Sequence, residues 1–585
     1  MTIKNEYGPT LPISEEIHKM KYRGTNETFR EAMTRVAEAL KDDEEHFDSF
    51  RTILYNQRFL PAGRVQSAMG SPREVTPYNC FVSEGIQDSM DGIMAAARDA
   101  AQTMRLGGGI GYDFSTLRPR GALIKSLDSR SSGPLSFMGI FDAVCKTIAS
   151  AGHRRGAQMG VLRVDHPDIE EFVRSKNNST ELTQFNISVG VTDAFMEAVK
   201  YDTDFNLVFD GRVYKTIKAK ALWDEILRST WDWAEPGILF IDRINKKNNL
   251  YYCEKIAATN PCGEQPLPPN GACLLGSFNL AKYVSPRGDK GYYFEYEQFK
   301  HDIPIVIRAM DNVIDRATYP LIEQEKEAKN KRRMGIGLTG VANAIEALGY
   351  PYGSKDFLGT LELIMKVLRD TAYTTSVSLA MEKGAFPKYN VALLESDFAK
   401  TLPDHIRDDI RQYGLRNSHL LSIAPTGTIS LSADNVSSGI EPVFSHFYDR
   451  TIQTFDGPMI ERVEDYGYRT FGIKGKTADG LSVFDHVKVL NLASKYVDSA
   501  CSKTCNVGED VSWEDFKNVY MTAYDGGSSG CTTFRAAGKR YGILNASTSE
   551  DVAEIEPELP FDDFVDEKEG GACYFDPATG TRTCE

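Results

Sequence analysis

The chain has 585 residues, of which 41% are hydrophobic and 25% are charged, values that are ordinary for a soluble globular protein. Its formal net charge of -15 argues against nonspecific binding to duplex nucleic acid, which a basic surface drives. No apolar stretch reaches the ~18 residues of a transmembrane helix, and the first residues lack the apolar core of a signal peptide. We therefore expect a cytoplasmic protein that does not contact a membrane.

The first ~20 residues are predicted to be irregular, and a helix is predicted to follow them. Thr28 to Glu31 matches a capping box, and the apolar residues after it recur at helical spacing. From about residue 58 to 535, short apolar runs alternate with helical patterns. Residues 185–191 predict a half-buried strand, 236–242 a buried strand, and 334–340 a strand before an alanine-rich helix. Strands separated by helices indicate parallel pairing and an α/β fold.

The last part of the chain differs in composition. Residues 550–570 hold ten acidic residues, one lysine and two prolines, which favours a mobile, solvated segment. Cys573 and Cys584 follow this segment. A flexible acidic tether that ends in two thiols is typical of a redox arm, and a disordered tail with incidental cysteines is the alternative.

Ten cysteines are too few in a chain of this length for a disulfide scaffold. No paired CxxC motif occurs, so no metal site is predicted, and buried thiols explain Cys501, Cys505 and Cys531 better than zinc does.

The sequence Asn-Pro-Cys-Gly-Glu at residues 260–264 holds the most informative chemical groups. Cys262 supplies a hydrogen-atom abstractor or nucleophile, Glu264 a base, and Asn260 an orienting amide. Cys273 follows nine residues after Glu264. Alone, this pattern is weak, because an ordinary loop has the same composition.

Three further loops have two interpretations each. The glycine run at residues 107–111 is either a packing turn or a ligand contact. Residues 424–430 offer hydroxyl and N–H groups for a phosphate, or they simply cap a helix. The loop at residues 150–158 holds two arginines that suit a phosphate or a base edge, or it is a solvated basic loop.

These motifs occur in one order along the chain, together with Arg-Phe-Leu-Pro-Ala-Gly-Arg at residues 58–64, Asn79-Cys80, and residues 414–418 and 439–442. In that order they resemble the catalytic subunit of ribonucleotide reductases over about residues 25–585. The pattern is most similar to the adenosylcobalamin-dependent class.

The resemblance implies a ten-stranded α/β barrel with the radical cysteine on a central finger loop, preceded by a short helical N-terminal region. We accordingly divide the chain into an N-terminal helical region (residues 1–57), a catalytic barrel (58–545) and a redox-active tail (546–585). The N-terminal region is too short for the family's nucleotide-binding cone, so no overall switch by ATP and dATP is expected.

The resemblance also implies residue roles. Cys262 would become a thiyl radical and take the ribose 3′ hydrogen, Glu264 would accept the 3′-hydroxyl proton, and Asn260 would orient that hydroxyl. Cys80 and Cys273 would expel the 2′-hydroxyl as water and close a disulfide. Cys573 and Cys584 would reduce that disulfide by thiol exchange and be recharged by thioredoxin or glutaredoxin.

Nucleotide-binding residues follow from the same resemblance. The substrate phosphates would be held by Thr426, Gly427, Thr428 and Ser430. A deoxynucleoside triphosphate or ATP effector would bind at a homodimer interface through Asp88, Ser89, Arg118 and Arg155.

Adenosylcobalamin is the expected radical source, because residues 530–535 lack the adjacent tyrosines that relay a radical from a second subunit. Tyr524 and Tyr541 are alternative relay residues. A subunit that needs a separate metal-containing radical generator, a glycyl-radical enzyme of the same barrel fold, and an inactive nucleotide-binding regulator remain alternatives. The sequence leaves open whether the substrate is a diphosphate or a triphosphate.

Overall fold

The computed structural model describes residues 7–124, 127–148, 157–177, 181–454, 457–535, 538, 574–576 and 581–583. Its α-helices have the following bounds: Pro12–Tyr22 (α1), Phe29–Leu40 (α2), Glu44–Tyr55 (α3), Gly63–Ala68 (α4), Met90–Arg105 (α5), Pro134–Thr147 (α6), Ile169–Arg174 (α7), Asp193–Lys200 (α8), Ala219–Trp233 (α9), Ile241–Lys247 (α10), Tyr296–Arg316 (α11), Ile322–Lys331 (α12), Val341–Ala347 (α13), Lys355–Lys383 (α14), Asp404–Tyr413 (α15), Gly427–Leu431 (α16), Tyr466–Phe471 (α17), Val483–Tyr496 (α18) and Trp513–Asp525 (α19).

The strands have the following bounds: Phe59–Pro61 (β1), Cys80–Val82 (β2), Gly109–Asp113 (β3), Leu123–Ile124 (β4), Ser129–Arg130 (β5), Gln158–Arg163 (β6), Phe185–Val191 (β7), Asp204–Phe209 (β8), Arg212–Lys218 (β9), Gly237–Phe240 (β10), Ala258–Thr259 (β11), Pro266–Leu267 (β12), Ala272–Cys273 (β13), Leu275–Asn279 (β14), Val284–Pro286 (β15), Tyr292–Phe294 (β16), Gly335–Thr339 (β17), Phe447–Thr454 (β18), Gly457–Glu464 (β19), Thr504–Val507 (β20), Gly530–Arg535 (β21), Tyr574–Asp576 (β22) and Thr581–Thr583 (β23).

The largest sheet has eight strands in the order β13-β2-β3-β6-β7-β10-β21-β20. The five strands β2, β3, β6, β7 and β10 run parallel to one another. β13 and β21 pair antiparallel with the two outer members of this group. The predicted parallel pairing is therefore confirmed, since helices connect these strands as in other α/β proteins.

A second sheet has the order β1-β14-β17, and single backbone bridges extend it. Ile336 bridges to Leu421, and Ile423 bridges to Cys501, both in the parallel direction. The segment 420–423 bonds to β17 at one end and to Ala500 at the other. Because it changes partner after so few bonds, it forms no ladder. The described strands make one eight-stranded sheet, one three-stranded sheet and six two-stranded sheets, and the predicted closed ten-stranded sheet is not among them.

Most predicted elements lie where the sequence put them. The capping box at Thr28 and Glu31 is present, and β7, α8, β10, β17 and α13 follow their patterns. All seven residues of β7 are buried, rather than alternate ones, because neighbours cover both faces of a central parallel strand. The prediction of an irregular start was wrong, since residues 12–22 form α1 with a proline at its first position.

The N-terminal helices share the core of the sheets. Phe29 and Val36 of α2 and Phe50 of α3 belong to the same buried apolar cluster as Phe59 of β1 and Phe278 of β14. Within the described residues, no helix is both long enough and apolar enough to span a bilayer.

Candidate active site

The sequence between β11 and β12 forms a tight loop, which we call the finger loop (residues 260–265). The Asn260 side-chain Oδ1 accepts the backbone N–H of Gln265 at 2.9 Å, and the Asn260 carbonyl accepts the N–H of Gly263 at 3.0 Å. Gly263 has a φ of +83°, a conformation that glycine adopts without a steric penalty. The Asn-x-x-Gly spacing therefore closes the loop and fixes Cys262 near its tip.

Hydrogen bonds from two other parts of the fold hold the finger loop in place. Asn186 of β7 donates its Nδ2 to the Pro261 carbonyl at 3.1 Å, and the Ala500 N–H donates to the Glu264 carbonyl at 3.0 Å. Glu264 and Asn260 are almost completely buried. The Nδ2 of Asn260 has no hydrogen-bond partner among the described residues, which leaves an amide donor for a ligand.

Gly111 of β3 permits the finger loop to approach the sheet. A Cβ at this position would lie 1.9 Å from the Thr259 carbonyl oxygen, which is backbone and cannot swing aside. We expect Gly111→Ala to lower the free energy of unfolding by about 2–3 kcal/mol, the usual cost of overpacking. Urea unfolding of the full chain measures this change.

The matched control is Gly359, an exposed glycine inside α14 with no atom within 4 Å of an added Cβ. Gly359→Ala should raise the free energy of unfolding by about 1 kcal/mol, because alanine is the better helix former. Equal effects of the two substitutions would contradict the proposed contact between β3 and the finger loop.

A pocket of about 940 Å³, including its mouth, opens on one side of the finger loop. Cys262, Glu264 and Cys80 line one part of it, and residues 424–429 line another. The thiols, the carboxylate and the predicted phosphate loop therefore share one cavity.

Cys80 and Cys273 lie directly opposite each other in neighbouring antiparallel strands. The register of β2 and β13 pairs these two residues. Both are buried, Cys80 at the pocket wall and Cys273 behind it with no exposed surface. Cross-strand neighbours have Cβ atoms about 4.5–5.5 Å apart, so a small shift of the two strands would permit a disulfide.

The glycine run at residues 107–111 is a packing turn around this pocket, and it begins a strand. A Cβ at Gly108 would meet the Phe81 ring at 2.7 Å. A Cβ at Gly109 would lie 3.1 Å from the Cys80 Sγ and 3.3 Å from Pro261 Cγ. The absence of side chains lets the β3 backbone lie against the Cys80 thiol and the finger loop.

The predicted phosphate loop has a strained backbone, and hydrogen bonds to neighbouring loops hold it in place. Thr426 has a φ of +56°, which is unfavourable for a β-branched residue. Its Oγ1 accepts the Gly439 N–H at 2.8 Å and contacts Thr339 Oγ1 at 2.9 Å, so the surrounding loops enforce this conformation. The strain fixes the direction of the N–H groups that follow, which begin α16.

Among the four predicted phosphate-binding residues, Thr426, Gly427 and Thr428 line the pocket. The hydroxyl of Ser430 instead donates to the Gly427 carbonyl at 2.9 Å and contacts Ser438 Oγ, so it braces the loop from within.

A second pocket, of about 570 Å³, lies on the other side of Cys262. Its wall includes the hydroxyls of Ser188, Ser502, Ser529 and Thr532, and none of the described residues that line it is a tyrosine. The buried Ser529 Oγ has no hydrogen-bond partner among the described residues. These hydroxyl groups suit hydrogen bonding to a nucleoside, such as the adenosyl end of a cofactor.

A buried ion pair supports the wall of this second pocket. Lys503 Nζ lies 2.5 Å from Glu441 Oε2 and 3.1 Å from His486 Nδ1, with all three side chains buried. Burial raises the pKa of Glu441 against the pull of Lys503. Burial, together with the Lys503 charge, lowers the pKa of His486 well below its usual range, so His486 accepts from Lys503 as a neutral ring.

Three of the predicted effector residues lie together, away from both pockets. Arg118 Nε donates to Asp88 Oδ2 at 2.7 Å, and its Nη2 donates to the Asp88 carbonyl at 3.1 Å. Ser89 caps α5 by accepting the N–H of Gly92. The fourth residue, Arg155, lies outside the described residues.

Of the alternative relay tyrosines, the described one, Tyr524, lines neither pocket. Tyr524 donates to Asp193 Oδ1 at 3.0 Å on the outer face of α19. Tyr541, Cys573 and Cys584 lie outside the described residues. No group of three or more metal-ligating side chains occurs in the described ranges, Cys501, Cys505 and Cys531 included.

Lys21, Tyr22 and Arg64 line the first pocket, and none of them was predicted to be a site residue. Arg64 belongs to a motif that was quoted for the resemblance but was given no role. Lys21 and Tyr22 fell in the segment predicted to be irregular. The helical pattern of residues 12–22 was the available signal.

A half-buried thiol on the finger loop, the Cys80 thiol in the pocket wall with Cys273 behind it, and the predicted phosphate loop are the parts that an α/β enzyme of thiol redox chemistry needs. The sequence family described as "Ribonucleotide reductase, barrel domain" matches residues 78–534. The chain therefore belongs to the ribonucleotide reductase family.

Relatives with curated names agree with this assignment. The vitamin B12-dependent ribonucleoside-diphosphate reductase of Thermoplasma acidophilum is 32% identical, over 99% of this chain and 78% of the relative. The protein of the same name from Mycobacterium tuberculosis is 33% identical, over 89% of this chain and 78% of the relative. The vitamin B12-dependent ribonucleotide reductase of Streptomyces coelicolor is 27% identical, over 85% of this chain and 60% of the relative.

Proposed function

We propose that this chain reduces ribonucleoside diphosphates to 2′-deoxyribonucleotides by thiyl-radical chemistry, with adenosylcobalamin as the radical source. The observation that carries the proposal is that Cys262, Glu264 and Cys80 share one pocket with residues 424–429. The names of the relatives from Thermoplasma and Mycobacterium support a diphosphate substrate.

The finger loop begins the reaction. The Cys262 thiyl takes the hydrogen from C3′ of the ribose, Glu264 accepts the proton of the 3′-hydroxyl, and the Nδ2 of Asn260 donates to that oxygen. Loss of the 2′-hydroxyl needs the carboxylate as a base and a dry cavity around the sugar radical, and the burial of both finger-loop side chains supports this.

The paired cysteines balance the reaction. One ribonucleotide and two thiols, those of Cys80 and Cys273, give one deoxyribonucleotide, one disulfide and one water. The two electrons come from the thiols; one thiol proton leaves with the 2′-hydroxyl as water, and the hydrogen of the other thiol ends on C2′ of the product. The Cys262 thiol then returns a hydrogen to C3′. This step completes the product and regenerates the thiyl radical on Cys262.

The second pocket suits the cofactor on the opposite side of Cys262. Adenosylcobalamin bound there would supply the radical chemistry that no ordinary side chain provides. Ser529 and Thr532 would hold its adenosyl end, and the Lys503–Glu441 pair would keep this wall rigid. A tyrosine relay from a second subunit is less well supported, because the described wall holds no tyrosine.

The C-terminal tail would reduce the active-site disulfide after each turnover. Strands β22 and β23 pair Tyr574 with Thr583, and Cys573 and Cys584 are the next residues in the sequence. β23 approaches α16, which begins at the phosphate loop. We propose that the tail (546–585) delivers these two thiols to the Cys80–Cys273 disulfide and that thioredoxin or glutaredoxin reduces the tail in turn.

The wider organisation belongs to the same proposal. Strands β2, β3, β6, β7 and β10, together with β14, β17, segment 420–423, segment 501–507 and β21, would make up a ten-stranded barrel within residues 58–545. The N-terminal helical region (1–57), whose helices α2 and α3 share the core of the sheets, would precede it. A nucleoside triphosphate effector would bind near Asp88, Ser89, Arg118 and Arg155 in a cytoplasmic homodimer.

The direct test is turnover by the purified chain with a ribonucleoside diphosphate, a small dithiol and adenosylcobalamin. We expect deoxynucleotide in amounts that exceed the enzyme many times over, and none without the cofactor. Product that forms only after a metal-containing partner subunit is added would instead support the two-subunit alternative. Product without any added cofactor would support a glycyl-radical enzyme.

A further inference from the structure

The N-terminal helix α1 is fixed beside the phosphate loop. The N–H groups of Thr10 and Leu11 donate to Asp434 Oδ1 at 2.6 and 2.9 Å. Ser14 Oγ donates to the Leu431 carbonyl, at the end of α16, at 2.6 Å. Because α16 begins at the phosphate loop, these contacts place α1 at the phosphate end of the pocket.

The last turn of α1 forms part of the pocket wall. Lys21 and Tyr22 both line it, with Tyr22 buried and Lys21 partly exposed. The Tyr22 ring lies against the backbone of Gly63, where an added Cβ would approach it to 2.5 Å. This packing sets the position of the neighbouring lysine.

Arg64 supplies a second cation from α4. Its side chain is buried to 9% exposure, and its guanidinium carbon lies 2.4 Å from the place that a Cβ on Gly107 would occupy. Gly107 also has a φ of +92°. Glycine therefore suits this position both because of its backbone conformation and because the guanidinium leaves no room for a Cβ. The glycine run therefore makes room for a buried guanidinium at the pocket wall.

The charges of the pocket favour an anion at this end. Lys21 and Arg64 are the two cationic residues that line it, and Glu264 on the finger loop is the one acidic residue among the described lining residues. A terminal phosphate carries a charge of about -1.5 to -2 at pH 7. Cations in a partly enclosed pocket bind such a group more strongly than they would in bulk water.

We propose that Lys21 and Arg64 bind the terminal phosphate of the substrate, together with the backbone of residues 426–428, and so select a nucleoside diphosphate over a monophosphate. This inference rests on the proposed function, because it names the part of the substrate that the two cations contact. Lys21 contributes a mobile point charge, whereas Arg64 contributes a planar fork suited to two phosphate oxygens.

The test is equilibrium binding of CDP, CMP and cytidine to the full-length chain, by calorimetry without cofactor or reductant. We expect Lys21→Met to weaken CDP binding roughly ten-fold or more, the usual effect of losing one charge-assisted hydrogen bond. The affinity for CMP should fall by a smaller factor, and the affinity for cytidine should not change. Arg64→Lys keeps the charge and should lower CDP affinity by a smaller factor.

Lys19, which is exposed on the same helix, gives the matched control, and Lys19→Met should bind all three ligands as the wild type does. CDP affinity that is unchanged in both Lys21→Met and Arg64→Lys would overturn the inference. Equal weakening of CDP and cytidine would also overturn it, because it would indicate a structural role. Binding requires no radical, so these outcomes are independent of the turnover test.

Discussion

Cys262→Ser abolishes deoxynucleotide formation in our account, with a loss on the order of 10³-fold or more. A serine hydroxyl holds its hydrogen more tightly than a thiol does, so it neither yields a radical under the same conditions nor returns the hydrogen to C3′. The finger loop itself should persist, since its closure depends on Asn260, Gly263 and Gln265 rather than on the thiol. Turnover with saturating adenosylcobalamin measures the loss.

Cys253 provides the control for this substitution, because its thiol is exposed and lines neither pocket. Cys253→Ser should retain wild-type turnover. CDP affinity in Cys262→Ser should also stay within a factor of about two, since the thiol does not contact the phosphates. Substantial activity in Cys262→Ser would favour the alternative of an inactive nucleotide-binding regulator or a different nucleophile.

Cys273→Ser and Cys80→Ser should each stop multiple turnover, again by a factor on the order of 10³. The two thiols supply two electrons as a pair, and neither can close a disulfide when its partner is serine. These variants differ from Cys262→Ser in one respect. The radical cysteine is intact, so hydrogen transfer between Cys262 and the bound groups should continue. Because the disulfide cannot form, product analysis by chromatography should show no deoxynucleotide.

Cys145 matches Cys273 in burial, and it lies on α6 away from the pocket. Burial raises the pKa of its thiol to about 12, so it is chemically inert at neutral pH. Cys145→Ser therefore reports the structural cost of a buried serine alone, and it should keep turnover. Comparable losses in Cys145→Ser and Cys273→Ser would contradict the redox role of the pair.

The local parts of the site could be predicted from the sequence. The Asn-x-Cys-x-Glu spacing places three functional groups on one short loop, and that loop closes through contacts between residues five or fewer positions apart. Cys80 and Cys273 were identified through the resemblance, and their exact pairing became visible only in the register of β2 and β13. Of the five parallel strands, β7 and β10 followed from apolar patterning, whereas β2, β3 and β6 were not predicted.

The contacts that complete the pocket could not be predicted in the same way. Thr10 and Asp434 are 424 residues apart, so no local pattern indicates that α1 reaches the phosphate loop. The role of Gly107 depends on Arg64, which a sequence pattern does not link to it. The break between the two sheets at residues 420–423 depends on which neighbour each backbone group bonds, and side-chain periodicity carries no information on that choice.

Transfer of tritium from the 5′ carbon of labelled adenosylcobalamin into water tests the central claim most directly. A thiol exchanges its hydrogen with water, so label reaches the solvent only if Cys262 passes hydrogen to and from the cofactor. We expect release of tritium by the wild type and by Cys273→Ser, and none above background by Cys262→Ser. Release by Cys262→Ser at the wild-type rate would contradict this claim.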